Sequence, residues 1–247
     1  MLTRSRKRKN SEIKRNRGPL KRNRGIKEKI CGNQPNKPDR LHIDGYKIIK
    51  KAVDIPDNVY EELKKQVDKK ARFIFNSSRN DKKRVQCRLS YRQKYMSAFV
   101  LKLNRYIKKN VSNNLSINDW VILKSKPGCK EQLSHCDYLP SDDFMECPED
   151  YIPLLCLVAI EPNTKINVWK NSIGYSSLIK INKTILSLDK GDMFVFRGDL
   201  VHAGASYDKE NIRLHAYLDS FLCPREPNRT YIISKHAPNE FSMYIEE

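Results

Sequence analysis

The chain has no apolar run near the roughly 18 residues that a membrane-spanning helix requires, so no membrane association is expected. Its opening residues, Met1 to Lys9, are too rich in Arg and Lys for the apolar segment of a secretory signal. No two of its seven cysteines form a C-x-x-C pair, which argues against a zinc ribbon or a thioredoxin-like site. They are odd in number and scattered singly, and reduced thiols in the cytosol or nucleus are the expectation. Acidic residues are scarce at the start. Positions 1–40 hold Glu12, Glu28 and Asp39 against fifteen Lys and Arg, so +12 of the whole chain's net +19 sits there. Large apolar residues are nearly missing from the same stretch. It cannot bury enough surface to offset its ordering entropy, and a disordered basic tail is expected over 1–40.

That tail repeats itself. Lys14-Arg15-Asn16-Arg17-Gly18 recurs as Lys21-Arg22-Asn23-Arg24-Gly25, and Arg4 to Lys9 form a separate cluster. Basic runs of this kind read as nuclear-localisation signals, or as patches for nucleic acid or an acidic protein. The plain alternative is a solvated tail with no specific reader. An intracellular location is expected, nuclear favoured over cytoplasmic by the tail.

Residues 41–247 are numerous enough to bury a core without disulfides. In 41–118, Tyr46 to Val53 reads as a strand. Asp57 reads as the N-cap of a helix to about Phe75, with an apolar stripe of Val59, Leu63, Val67, Ala71 and Ile74. Asn76 to Arg84 is polar and reads as a loop. A second helix is expected over Tyr91 to Lys109, with Tyr95, Phe99, Leu103 and Ile107 on one face. Both helices are expected to pack on the outside of a sheet. Arg79, Lys82, Lys83, Arg84, Arg88, Arg92 and Lys94, with Tyr91 and Tyr95 among them, can form a basic face for nucleic acid. An ordinary solvated loop and helix is the preferred reading.

From Asp119 the texture changes to short apolar runs broken by turn residues. Strands are expected at Trp120–Lys124, Ser134–Tyr138, Pro153–Ile160, Ile166–Lys170, Thr184–Leu188, Met193–Phe196, Leu200–Ala203 and Ile212–Leu218. Turns are expected between them, one of them over Asn171 to Gly174. Eight short strands over 119–219 fit a mainly β fold with flanking helices, a double-stranded β-helix or jelly-roll. Residues 220–247, with Pro224, Pro227 and Pro238, are expected to wrap the barrel without extending it.

Three groups inside this region carry chemistry. His135 and Asp137 are two apart, so on a strand they point to one face and can reach one metal ion. His202 follows sixty-five residues later, in an apolar run beside Ala203 and Gly204, with room for about four strands between. Two imidazoles and a carboxylate on one side of a metal leave positions open, the facial arrangement of non-haem iron(II) sites. Arg213 lies on a strand whose alternation sets Arg213, His215 and Tyr217 on one face. A buried guanidinium there needs an anion, and its fork matches a carboxylate. His215 reads as a pocket residue rather than a ligand.

The stretches P-G-x-x-x-Q-x-x-H-x-D and G-D-x-x-x-F-x-G-D-x-x-H-A-G, with an arginine eleven residues past the second histidine, resemble the Fe(II)/2-oxoglutarate-dependent oxygenase superfamily. The nearest branch is the phytanoyl-CoA dioxygenase-like one. The prolyl-hydroxylase branch usually has Lys where Arg213 stands. The nucleic-acid demethylase branch carries a second arginine where this chain has Asp219. The resemblance implies iron ligands at His135, Asp137 and His202 and a 2-oxoglutarate anchor at Arg213. Gln132 and Asn167 are weaker pocket candidates, and Phe194, Phe196 and Leu200 are apolar walls. It also implies dioxygen as co-substrate and hydroxylation of a C–H bond with release of succinate and carbon dioxide. The rival reading is a non-catalytic polyanion-binding protein on a degenerate jelly-roll. The acidic run Asp142, Asp143, Glu146, Glu149 and Asp150 can face a cationic substrate or simply water, and water is preferred.

Overall fold

The computed structural model describes residues 40–74, 82–170, 172, 183–225, 229–233 and 241–245. The basic tail, Arg40 apart, lies outside the described residues. So do Arg79, most of the expected loop from Asn76 to Arg84, and the turn over Asn171 to Gly174 save Ser172.

A short helix α1 (Arg40–Ile43) and strand β1 (Tyr46–Ile49) precede helix α2 (Asp57–Lys70), then β2 (Arg72–Phe73), β3 (Arg84–Arg88), helix α3 (Lys94–Asn110) and β4 (Ser116–Ile117). The barrel follows. Its strands are β5 (Val121–Ser125), β6 (His135–Cys136), β7 (Leu154–Ala159), β8 (Thr164–Val168), β9 (Thr184–Leu188), β10 (Met193–Arg197), β11 (His202–Gly204) and β12 (Asn211–Asp219). The short helix α4 (Asp142–Met145) lies between β6 and β7, and β13 (Arg229–Ile233) and β14 (Phe241–Ile245) end the described chain.

Among the described residues, one sheet runs β1-β10-β7-β12-β5-β3-β2 with β4 paired to β12, and the other runs β14-β13-β6-β11-β8-β9. The eight strands from β5 to β12 divide between the two as β10-β7-β12-β5 and β6-β11-β8-β9. This is the double-stranded β-helix, and each of its strands overlaps one expected from the sequence.

Alternation decides which side chains enter the barrel. On β12, Ile212, Leu214, Ala216 and Leu218 are buried in one apolar cluster with Val59, Leu63 and Val67 of α2 and Phe99, Leu103 and Ile107 of α3. Both helices thus cover the outer face of the larger sheet. The opposite face packs Leu155, Leu157, Phe194 and Phe196 against Ile166 and Val168 of the smaller sheet.

Several expectations shift. The N-cap of α2 is Pro56, not Asp57, and the helix ends at Lys70, where the chain turns into β2 instead of continuing to Phe75. Helix α3 starts at Lys94, so Tyr95 falls in its first turn and stays 36% exposed, while Met96 takes the buried place. Arg84, expected to end the loop from Asn76, instead opens strand β3. The C-terminal segment does extend the barrel, because β13 pairs with β6 and β14 with β13.

Candidate metal and co-substrate site

Register brings the two histidines together. His135 of β6 and His202 of β11 are direct cross-strand partners, with ring centroids 4.4 Å apart. β6 ends at Cys136, so Asp137 is not a strand residue as expected. It lies in the bend that follows, where its own N–H and that of Tyr138 both donate to the Gly198 carbonyl, at 3.2 and 3.0 Å. The bend still delivers the carboxylate. Asp137 Oδ2 lies 3.6 Å from His202 Nε2, and one donor atom each from His135, Asp137 and His202 fall within 4.8 Å of one another.

The orientation of each ring is fixed from behind. His135 Nδ1 donates to the Leu133 carbonyl at 2.7 Å, and His202 Nδ1 donates to the Leu200 carbonyl at 3.0 Å. A carbonyl can only accept, so Nδ1 carries the proton and the Nε2 lone pair is left for a metal. Burial pushes both imidazoles down to about 4, with the neighbouring His202 adding to the effect at His135. Both are therefore neutral near pH 7, as a ligating imidazole must be.

Arg213 points into the barrel, as its alternation requires. It is 4% exposed, donates from Nη1 to Ser125 Oγ at 3.0 Å, and lies over the Tyr207 ring at 5.6 Å. Arg213, His215 and Tyr217 line one cleft of about 540 Å³ together with His135, Asp137 and His202. His215 contributes no atom to the ligand cluster. Leu157, Ile166 and Phe196 supply apolar wall. Phe194 stacks behind Phe196 at 4.7 Å, and Leu200 is buried in the core between the sheets.

Gln132 lines the cleft and clamps the end of β11. Its N–H donates to the Gly204 carbonyl and its Oε1 accepts from the Gly204 N–H, each at 2.9 Å. Asn167 is placed differently from its expectation. It pairs with Ala203, whereas His202 pairs with Val168, so Asn167 lies on the face of the sheet turned away from the barrel interior. It is 1% exposed, and neither atom of its amide has a hydrogen-bond partner among the described residues.

Sequence reasoning missed the role of Arg84. This wholly buried guanidinium donates from Nη2 to the carbonyls of Lys130 (2.7 Å), Ala205 (2.6 Å) and Gly204 (3.3 Å), and from Nη1 to Ser125 Oγ (3.2 Å). It thus braces β11 from a strand outside the barrel core. Gly204 is glycine for the same reason, since a Cβ there would stand 2.4 Å from Gln132 Oε1 and 2.6 Å from Arg84 Nη1. The signal was the alternation of Val85, Cys87 and Leu89 with Arg84, Gln86 and Arg88, a strand pattern hidden by the charged residues before it.

No protein-family model matches the sequence, and no curated protein matches it. Solved structures do match the fold. The epimerase SnoN, in complex with Fe3+, alpha ketoglutarate and nogalamycin RO, superposes with a TM-score of 0.56 at 14% identity, covering 73% of this chain and 81% of that one. A Pseudomonas putida prolyl-4-hydroxylase gives 0.53 at 11% identity, covering 74% and 96%. HygX from Streptomyces hygroscopicus, with nickel and 2-oxoglutarate bound, gives 0.52 at 10% identity, covering 73% and 85%. At these identities the likeness is one of fold, and the chain shares with these proteins the double-stranded β-helix.

Proposed function

We propose that this protein is an Fe(II)- and 2-oxoglutarate-dependent dioxygenase that hydroxylates a C–H bond and releases succinate and carbon dioxide. The observation that carries the reading is the buried cluster of His135, Asp137 and His202, with both Nε2 lone pairs presented by Nδ1–H donation to backbone. Two imidazoles and one carboxylate are the donor set of non-haem iron(II) sites that keep positions open. Iron, when bound, supplies activation of dioxygen coupled to decarboxylation of the co-substrate.

The chain's own residues do the rest. His135, Asp137 and His202 hold the metal. Arg213 offers its fork to the distal carboxylate of 2-oxoglutarate, and Ser125 and Tyr207 hold that guanidinium in place. Phe196, Leu157 and Ile166 limit water at the reacting end of the cleft. The folds of SnoN, in complex with Fe3+ and alpha ketoglutarate, and HygX, with nickel and 2-oxoglutarate, support the assignment. A non-catalytic scaffold would have no need of this cluster and a buried Arg213 facing one cleft. Within the superfamily we assign the chain to the phytanoyl-CoA dioxygenase-like branch, on the motif around Gln132, His135 and Asp137 and the spacing of Arg213 from His202. We assign 1–40 as a basic arm for nuclear import or polyanion contact.

The test is anaerobic absorbance. Fe(II) and then 2-oxoglutarate are added to the purified protein, and a visible metal-to-ligand charge-transfer band is expected. Asp137→Ala should abolish it and Arg213→Ala should demand far more 2-oxoglutarate to reach it. A folded protein with no band, or a band indifferent to Asp137→Ala, would refute the assignment.

A further inference from the structure

The inward face of β3 is basic where a barrel strand is ordinarily apolar. Val85 and Cys87 are buried with the helices, and the alternate residues Arg84, Gln86 and Arg88 pair with Ser125, Leu123 and Val121 of β5. Arg72 of β2 lies opposite Gln86. Arg72, Gln86 and Arg88 line the same cleft as the metal-site residues, and Thr230 lines it from the other sheet. The strands added outside the barrel core therefore carry the cleft outward over a cationic floor.

Charge along this path is one-sided. Arg72 and Arg88 are exposed. Among the described residues the lining acids are Asp137, already assigned to the metal, and Asp119. Asp119 sits 3.2 Å from Arg88, a pair exposed enough for water to screen. Arg72 has no ion-pair partner among the described residues. Arg72 is also remote from the reacting end, three strands from β12, or about 14 Å at the ~4.8 Å strand spacing. A small metabolite held at the metal would leave it unused, whereas a polymer would not.

We propose that this cleft binds single-stranded nucleic acid, with phosphates along Arg72 and Arg88 and one nucleotide turned in toward the metal site. The inference rests on the oxygenase reading for what happens to that nucleotide, though not for the binding. Arginine matches phosphate with two parallel hydrogen bonds. A cleft of about 540 Å³ is of small-molecule size, which suits one unstacked nucleotide and excludes a double helix. Chemistry on a base also requires that it leave the stack. The net charge of +12 over residues 1–40 adds sequence-independent attraction.

The test uses the full chain without iron or 2-oxoglutarate, so its failure would leave the metal assignment untouched, and loss of the charge-transfer band would leave the binding result standing. Fluorescence anisotropy is measured with a labelled 12-nucleotide single strand, as DNA and as RNA, with the matched duplex and with a Glu-rich peptide. The single strand should bind more tightly than the duplex. Arg72→Gln/Arg88→Gln should lower the slope of log affinity against log salt by about 1.4, at ~0.7 for each single-strand phosphate that is no longer neutralised. Arg72→Lys/Arg88→Lys should restore it. Lys69→Gln/Lys102→Gln, the same charge change on exposed positions of α2 and α3, should leave it unchanged. Equal loss in both Gln pairs, preference for the duplex, Arg72- and Arg88-dependent binding of the peptide alone, or no rescue by the Lys pair would each overturn the proposal.

Discussion

Arg84 and Arg213 donate to the same hydroxyl. Their Nη1 atoms lie 3.2 and 3.0 Å from Ser125 Oγ, and the two side chains are 0% and 4% exposed. A serine oxygen has two lone pairs, and here each receives a cation. Ser125 thereby couples the arginine that braces β11 to the one assigned to the co-substrate. Ser125→Ala removes the shared acceptor and lets Arg213 drift. A hydrogen bond to a charged group is worth roughly 1.5–3 kcal/mol, so 2-oxoglutarate affinity should fall about tenfold or more. Titrating the charge-transfer band would read this, with Fe(II) affinity expected to hold. A fall in metal affinity alone would contradict the coupling.

Arg84 matters first for stability. Arg84→Leu would strip a donor from the carbonyl of Lys130 and the buried carbonyl of Ala205, each satisfied now at 2.6–2.7 Å. Leaving a buried acceptor unpaired costs about 1–3 kcal/mol. The summed loss in urea denaturation should be about 3 kcal/mol or more. Arg84→Lys, able to reach fewer of these acceptors, should fall between the two. A wild-type midpoint for Arg84→Leu would mean the carbonyls find other donors.

Gly198 governs Asp137 without touching the metal. Its carbonyl accepts from the Asp137 and Tyr138 amides, and a Cβ at this position would stand 2.3 Å from Tyr138 Cδ2. Tyr138 is 3% exposed and its hydroxyl is held by Asp219, so the ring cannot simply swing away. Gly198→Ala should therefore displace the bend that carries the carboxylate. Disturbing the groups that orient a ligand typically costs 10–100-fold in metal affinity, and calorimetry with Ni(II) should show a loss in about that range. Unchanged affinity would mean the bend tolerates the methyl group.

The barrel was legible in the sequence because its strands are apolar runs punctuated by turn residues, and because β12 alternates cleanly from Ile212 to Leu218. His135, Asp137, His202 and Arg213 were legible from type and spacing. What escaped has physical causes. β3 shows a charged face to the cleft, so its alternation of Val85 and Cys87 was submerged in basic residues. Asn167 was assigned by type, but only the register with Ala203 reveals which face it occupies. β6 spans two residues, too short for strand periodicity to place Asp137, and a backbone contact to Gly198 does so instead. The prolines of the C-terminal segment suggested a wrap, yet β13 and β14 complete the smaller sheet.

The protein without metal should lose stability on mild acidification. Burial pushes His135, His202 and His215 each down to about 4 from an ordinary value near 6.5. Between those values the unfolded chain holds more protons than the folded one, so stability rises with pH across the window. The contribution is complete above about 6.5 and disappears as pH falls toward 4. The melting temperature should drop steadily from pH 7 to pH 5. Saturating Ni(II) should shift the melting temperature upward at each pH, leave the onset of the drop near pH 6.5, where the unfolded chain takes up protons, and carry the drop below pH 4, because a bound Nε2 has no lone pair for a proton. His215→Gln should make the apo profile shallower while leaving the shift caused by metal intact. A melting temperature that held or rose on acidification would show that these imidazoles are hydrated and titrate normally.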